Sequence, residues 1–327
     1  MPSGNTNFST LITTTLQNLP GDLIDGVSTN NALLWKLKQA GNIKINAGGR
    51  SFTHAIIHTQ NSTFAARAQG ATIPLTVQDN ATRANYDIKT VSGSVAIIEE
   101  ELAMNAGDKE KLIDLAEEKK QEAEIAMAEV LGDQFFNTAV TAAGGVNMDS
   151  IPYLINTVPS SQSDVGGIDS TATAQANFWR NQVYATAVSA FGTSQNGLNA
   201  LDTLLGLCSI GNQGPKMAVT TNAVWTLYML ALTSNARYTS MDEADGAFRK
   251  LYYGTIPVYI DANCPTGRWY FIDTNNLKLQ TLAQGNFKST KFMPARDQLA
   301  QSMLMYLFGN LTCGSRRTQG VVASITG

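Results

Sequence analysis

Residues 108–137 run without proline and with a single glycine, Gly132. Asp108 follows Gly107 and can cap the start of a helix. At 1.5 Å per residue a helix of this length reaches about 45 Å. Its apolar positions, Leu112, Ala116, Ala123, Met127, Val130 and Leu131, form only a narrow stripe. Charge fills the rest of the girth, with Glu117–Lys120 and Lys120–Glu124 at supportive spacings. Such a helix cannot sit inside a bundle. It lies across a surface as a strut, and the rest of the chain must supply that surface.

The segments before it read as an arm and a long β excursion. Asn30–Gln39 carries Leu33, Leu34 and Leu37 at helical spacing, and Gly41 can end the helix. Phe52, His54, Ile56 and His58 share one face of a strand, and Thr53, Ala55 and Ile57 share the other. A second strand-like run covers Tyr86 to Ile98. Between them, residues 59–85 are too polar to form a core of their own, and so long an excursion implies a binding role. It reads as a hairpin that reaches out and lies on a neighbour.

After the strut, residues 141–172 are rich in Gly, Ser, Thr and Asn and read as a linker. Phe178, Trp179, Val183, Ala187 and Val188 suggest a helix. Leu198, Leu201, Leu205 and Cys208 mark a second, and Asn222–Thr233 a third. Strands are expected at Met217–Thr221, Thr255–Ile260, Trp269–Ile272 and Leu277–Leu282. The apolar run from Leu299 to Phe308 and the segment Val321–Ile325 return the chain to β structure.

Chemistry-bearing clusters are sparse. His54 and His58 lie about 13 Å apart on a strand, with no third ligand in view, so no metal site is expected. The stretch GNQGPK lacks the Walker spacing, and no nucleophile-elbow pattern occurs. Asp242, Glu243 and Asp245 do not match a calcium loop and read as a solvated loop. Cys208, Cys264 and Cys313 are odd in number and widely spaced, which points to free thiols and not to a disulfide framework. No catalytic, cofactor-binding or metal site is therefore expected. The N-terminus lacks the pattern of a signal peptide and no run is long enough to span a bilayer, so synthesis and folding in a cytoplasm are expected.

Only 15% of residues are charged, against roughly 25% in an average domain. A surface of small polar groups suits broad contact between copies, because few ions need desolvating. The net charge of −3 excludes a strong basic field for gripping nucleic acid. The charges that stand out are Glu99, Glu100 and Glu101, which read either as a solvated helix start or as ion-pair partners of an arginine on a neighbouring subunit. Arg67, Arg316 and Arg317 are the candidate cations, the last two in a tight connection where interface or turn use is the default.

The strings GGIDSTATAQANFWR at 166–180, NARYTSMDEADGAFRKLYYGTIPVYID at 235–261, then GRWYFIDTNNLKL and GNLTCGSRRTQGVV, and the order of parts around them, resemble major capsid proteins of tailed double-stranded DNA phages. The resemblance covers nearly the whole chain. It implies an α+β fold of the Hong Kong 97-like type. Residues 1–40 would be the N-arm and 41–100 the extended β-hairpin loop, or E-loop. Residues 101–172 with 285–327 would form the peripheral domain, including a spine helix at 108–137, and 173–284 the axial α/β domain. It further implies self-assembly through pentamers and hexamers into an icosahedral shell around a phage genome, non-specific contact with packaged double-stranded DNA, and a place in the virion capsid after assembly in the bacterial host cytoplasm. Only about forty residues precede the loop, which implies a separate scaffolding protein or an N-terminal segment already removed. A portal and a decoration protein are further implied partners, and no membrane is. Lys44 and Lys89 lie in or beside the loop, but no Lys, Asn and Glu set matches the isopeptide cross-linking pattern of some relatives, so no cross-linking is expected. An encapsulin-like compartment of the same fold is the nearest alternative. Another virion protein, or an enzyme of the α/β middle region, is the more distant one.

Overall fold

The structure is a computed structural model that describes residues 32–100, 115–141, 144–172, 174, 178–192, 195–234, 251–295 and 298–327. Most of the expected arm, Glu101, the Asp108 cap, Leu112 and the Asp242–Asp245 cluster lie outside the described residues.

Helix α1 (Ala32–Gln39) buries Leu33 and Leu37. It ends on Gly41 at φ +66°, with the Asn42 amide returning to the Leu37 carbonyl at 2.9 Å. Strand β1 (Ile43–Asn46) follows. Then β2 (Ser51–Ile57) and β3 (Ala81–Asp87) pair antiparallel from Ser51↔Asp87 to Ile57↔Ala81. The chain changes sheets at Ile88, so the run expected as one strand from Tyr86 to Ile98 is the end of β3 and the whole of β4 (Lys89–Ile98).

Strut helix α2 is described over Leu115–Phe136. Met127, Leu131, Phe135 and Phe136 are its buried line, while Val130 is 44% exposed. Lys119–Glu122 and Lys120–Glu124 pair along the helix at 2.9 and 3.7 Å.

A first six-stranded sheet is organised on the long strand β13 (Ala300–Cys313). Strand β4 pairs with residues 300–309 of β13, and β10 (Leu277–Leu282) with residues 309–313. Strand β1 lies parallel to β10. The short strands β11 (Lys288–Ser289) and β12 (Met293–Pro294) pair with β13 residues that also pair with β4, so they occupy the edge opposite β4.

The second sheet runs β5-β14-β9-β6-β8-β7. Its strands are β5 (Gln182–Tyr184), β6 (Met217–Thr220), β7 (Leu251–Tyr253), β8 (Ile256–Ile260), β9 (Trp269–Ile272) and β14 (Gly320–Val322). The run Trp269–Ile272 is apolar throughout because both faces are covered. Trp269 and Phe271 enter the core that also takes Leu201 and Leu204 of helix α4 (Asn196–Cys208) and Tyr228 of α5 (Asn222–Ser234). Tyr270 and Ile272 enter the other core, where the Phe136 ring of α2 lies 6.4 Å from that of Tyr270.

Two expectations are corrected. The helix expected around Phe178 to Val188 is a turn at 178–180 followed by β5, which pairs parallel with β14. Trp179 is buried, its indole N–H donating to the Val165 carbonyl at 3.0 Å, and this tertiary contact overrides the local periodicity. Residues 145–172 are not a plain linker, since helix α3 (Ile151–Leu154) is wholly buried and capped by Ser150. Sheet membership crosses the expected segment boundaries too. Strand β10, from the expected axial segment, completes the β13 sheet, and β14, from the expected peripheral segment, lies inside the other.

Candidate assembly interface

Beyond Ile57 and before Ala81 the hairpin leaves its ladder and its tip carries large apolar side chains into solvent. Phe64 is 85% exposed, Ile73 66%, Leu75 97% and Val77 104%. Single exposed apolar residues are ordinary, but several on one projecting loop mark a contact surface. The tip is nonetheless braced. Ser62 and Gln78 bond reciprocally across it at 3.0 and 2.6 Å, and Arg67 donates to the carbonyls of Thr63 and Thr72 at 2.6 and 2.9 Å.

The root of the hairpin is anchored to the β13 sheet. Tyr86 is buried and donates its hydroxyl to the Cys313 carbonyl at 2.8 Å, and burial holds its phenol well above the usual range. His54 stands edge-on to Tyr86 with ring centres 6.0 Å apart. Its Nε2 lies 2.8 Å from Gln280 Nε2 and 3.0 Å from Thr312 Oγ1. Because Gln280 can only donate there, Nε2 accepts and the ring is neutral. Partial burial, then the nearby Lys278 and Lys44, push its pKa down to about 4. His58 is not part of this network. It meets Thr59 and stacks near Phe178, at 5.3 Å between ring centres.

A second buried knot lies where β3 passes into β4. Asn310 donates to the Asp87 carbonyl at 2.8 Å and to Asp149 Oδ2 at 3.0 Å, and the Asp149 amide returns a bond to Asn310 Oδ1 at 2.8 Å. Burial raises the Asp149 carboxyl to about 6 despite Asn310 and Lys89. Lys89, also buried, donates to the Gly145 carbonyl. No ordering of this polar cluster was evident in the sequence, because its members come from three separate segments.

A groove of about 320 Å³ opens between β4 and α2, lined by Val91, Val95, Ala123, Ala126, Met127 and Val130 among others. Lys119 and Glu122 on its rim neutralise each other.

The expected ion-pair residues fall into two groups. Glu99 and Glu100 are exposed just past β4, and neither has an ion-pair partner among the described residues. Arg67 spends its donors within the tip. Arg317 is half-buried. Arg316 departs from expectation. It is fully buried and bonds the Leu154 carbonyl at 2.7 Å, Ser170 at 2.8 Å, Gln162 at 2.5 Å and Asn181 at 3.2 Å, all in its own subunit. It has no reach to a neighbour, and burial lowers its pKa to about 10. Among the described residues no group of three His, Cys, Asp or Glu side chains could hold a metal ion. No helix among them is long and apolar enough to cross a membrane.

The extended hairpin, the strut helix beneath the β13 sheet and the separate α/β sheet make this the Hong Kong 97-like fold of capsid proteins. The chain is similar in structure to the capsid subunit of cyanophage A-1(L), with a TM-score of 0.69 at 13% identity over 94% of this chain and 96% of that one. It is similar also to the capsid of a native GTA particle, with a TM-score of 0.62 at 13% identity over 94% and 95% of the two chains. The SrpI encapsulin of Synechococcus elongatus PCC 7942 matches with a TM-score of 0.58 at 10% identity over 96% and 95%. No protein-family model matches the chain, and no curated protein matches its sequence.

Proposed function

We propose that this chain is a major capsid protein that assembles, through pentamers and hexamers, into the icosahedral shell around a phage double-stranded DNA genome. The observation that carries the reading is the projecting hairpin. Its tip presents Leu75 and Val77 almost wholly to water on a braced loop, an arrangement that costs free energy until a second surface covers it. Likeness to capsid subunits along nearly the whole chain supports the same reading.

Each subunit would make many weak contacts that closure of the shell sums. DNA would be held by containment, since the net charge of −3 provides no basic groove. A scaffolding protein and a portal would direct assembly in the host cytoplasm, and a decoration protein would add to the finished head. Glu99, Glu100 and Glu101 would offer carboxylates to arginines of adjacent subunits, Arg317 being a nearer candidate than the buried Arg316.

Electron microscopy of the purified chain, alone and with the products of its neighbouring genes, tests the reading. Closed shells or capsomer rings are expected, and a small monodisperse species under all these conditions would overturn it. The likeness to the encapsulin gives a second reading, a genome-free compartment. Particles isolated from their native source decide between the two by content, DNA for the capsid and enzyme cargo for the compartment.

A further inference from the structure

Charge is divided along this chain. Between Asp25 and Asp79 stand five cations and no acid, whereas residues 87–133 hold thirteen acids against five lysines. The net charge of −3 is the small remainder of that division.

The fold gathers cations on one edge of the β13 sheet. Lys44 of β1 stands opposite Gln280 of β10, and Lys278 lies two positions back along β10, so both side chains rise from one face. Both are near enough to His54 to oppose its charging. The turn at 273–276 adds two more. Lys216 donates to Asn275 Oδ1 at 3.2 Å, and Asn42, just beyond Lys38 in the last turn of α1, donates to the Thr274 carbonyl. Lys38, Lys44 and Lys216 are exposed, and none of the four has an ion-pair partner among the described residues. The one acid of residues 262–296, Asp273, is buried and accepts bonds from Asn275, Asn276 and Thr318.

Exposed carboxylates mark the other end of the same sheet. Glu99 and Glu100 follow Ile98, which stands opposite Ala300, whereas Lys278 stands opposite Thr312. At the rise of a strand, the stretch of β13 between those levels is about 40 Å long. The Debye length is about 10 Å at 0.1 M salt, so the two ends do not neutralise each other within a subunit. A second copy placed head to tail brings them together. Such a contact joins unlike patches, so it repeats from copy to copy and closes into a ring when the rotation allows.

The basic edge offers more than charge. Among the described residues β1 pairs with β10 alone, and its Ile45 is 55% exposed. Exposed ion pairs add little affinity singly. Burial of Ile45 would add attraction, while the charges set orientation and exclude wrong pairings.

We infer that the edge formed by Lys38, Lys44, Lys216 and Lys278 is an interface that receives the Glu99–Glu100 end of the β13 sheet of a second copy, head to tail. The inference rests on the shell-building reading and gives those carboxylates a broader cationic partner than the single Arg317.

Charge reversal in the full chain tests it. One variant carries Lys44→Glu with Lys278→Glu, a second Glu99→Lys with Glu100→Lys, and a third all four. Each of the first two should lower particle yield at least about tenfold, because like charges then meet at every repeat. The third should recover yield to within about threefold of the unmodified chain, since opposite charges meet again. Urea unfolding of the free subunits separates a lost contact from a lost fold, and the midpoints should not move. If a reversal fails to fold, Lys44→Gln with Lys278→Gln and Glu99→Gln with Glu100→Gln replace it. Each neutral pair should remove most of the slowing of assembly between about 0.1 and 1 M salt, and an undiminished slowing overturns the inference. Full yield from both reversals, or no recovery in the third with its subunit folded, also overturns it. So does recovery of the lysine reversal by Asp22→Lys with Asp25→Lys, which would assign the edge to residues 1–31. A lysine reversal that keeps full yield but loses binding of short duplex DNA would assign the edge to nucleic acid and overturn it too. In all these cases shells of the unmodified chain leave the shell reading intact, and their failure to form overturns both.

Discussion

The Arg316 guanidinium lies 5.9 Å from the Trp179 ring centre, and both side chains are fully buried. Four neutral acceptors surround the cation, the Leu154 carbonyl, Gln162, Ser170 and Asn181, and no carboxylate is among its hydrogen-bond partners. The arginine thus ties the connection between the two sheets to the β13–β14 turn. Removing it leaves several buried acceptors unpaired. Arg316→Ala should cost about 3–5 kcal/mol by the measure of other buried charge networks. Arg316→Lys should recover little of it, because a single ammonium cannot reproduce the fork. Urea unfolding of the free subunit checks both, and a loss below about 1 kcal/mol in Arg316→Ala would show that water replaces the guanidinium.

His54 predicts a loss of subunit stability on the acid side. Its pKa of about 4 in the fold lies below the ordinary 6.5. Between these values the unfolded chain binds more protons, so this contribution is complete above pH 6.5 and is lost as pH falls through 4. The loss should be about 1–2 kcal/mol once the partial exposure of the ring is allowed for. Protonation would also set an Nε2–H donor against the Gln280 amide donor and loosen the hairpin root. His54→Gln should flatten that part of the profile, read from thermal midpoints between pH 4 and 7. An unchanged slope would remove His54 as its source.

Asp149 works in the opposite sense over much of the same range. Its carboxyl is raised from 3.8 to about 6, so the folded chain binds more protons between those values. Its contribution is complete below pH 3.8 and is lost as pH rises through 6, by about 2–3 kcal/mol. Asp149→Asn keeps the shape and an acceptor for Asn310, so it should raise the thermal midpoint at pH 8 by several degrees and leave pH 4 little changed. In the unmodified chain the two slopes oppose each other from pH 4 to 6. Each should emerge when the other residue is replaced, and a midpoint at pH 8 unaffected by Asp149→Asn would refute the assignment.

The elements that were legible in the sequence are those whose signals are local. Trp269–Ile272 and Leu277–Leu282 are strands over the expected residues, because continuous apolar runs between turn residues leave little choice. The strut helix followed from its length and stripe. The misread segments depended on distant partners. Phe178, Trp179 and Val183 fit a helical period, yet β5 forms because β14 lies beside it. Arg316 read as a turn or interface residue because its acceptors lie more than 130 positions away. The same holds for the interface. The polar excursion at 59–85 announced a projecting loop, whereas the groove needed β4, β13 and α2 in place before Val91, Val95 and Ala126 could be seen together.

The hairpin tip and the core separate assembly from folding. Leu75 and Val77 contribute little to the subunit because folding leaves them in water, whereas Leu131 and Phe135 of α2 are fully buried. Leu75→Ser with Val77→Ser should therefore leave the urea midpoint of the free subunit within about 0.5 kcal/mol of the unmodified chain. It should nevertheless remove most particles from an assembly mixture, since every copy loses the same contact and the shell multiplies the loss. Leu131→Ala should do the reverse at the level of the subunit, costing about 2–5 kcal/mol of stability. Sedimentation of the assembly mixture beside equilibrium unfolding distinguishes the two effects. Full particle yield from the tip double variant would mean that the exposed apolar stripe is not what holds adjacent subunits together. Poor yield with a matching drop in stability would mean instead that the tip supports its own fold.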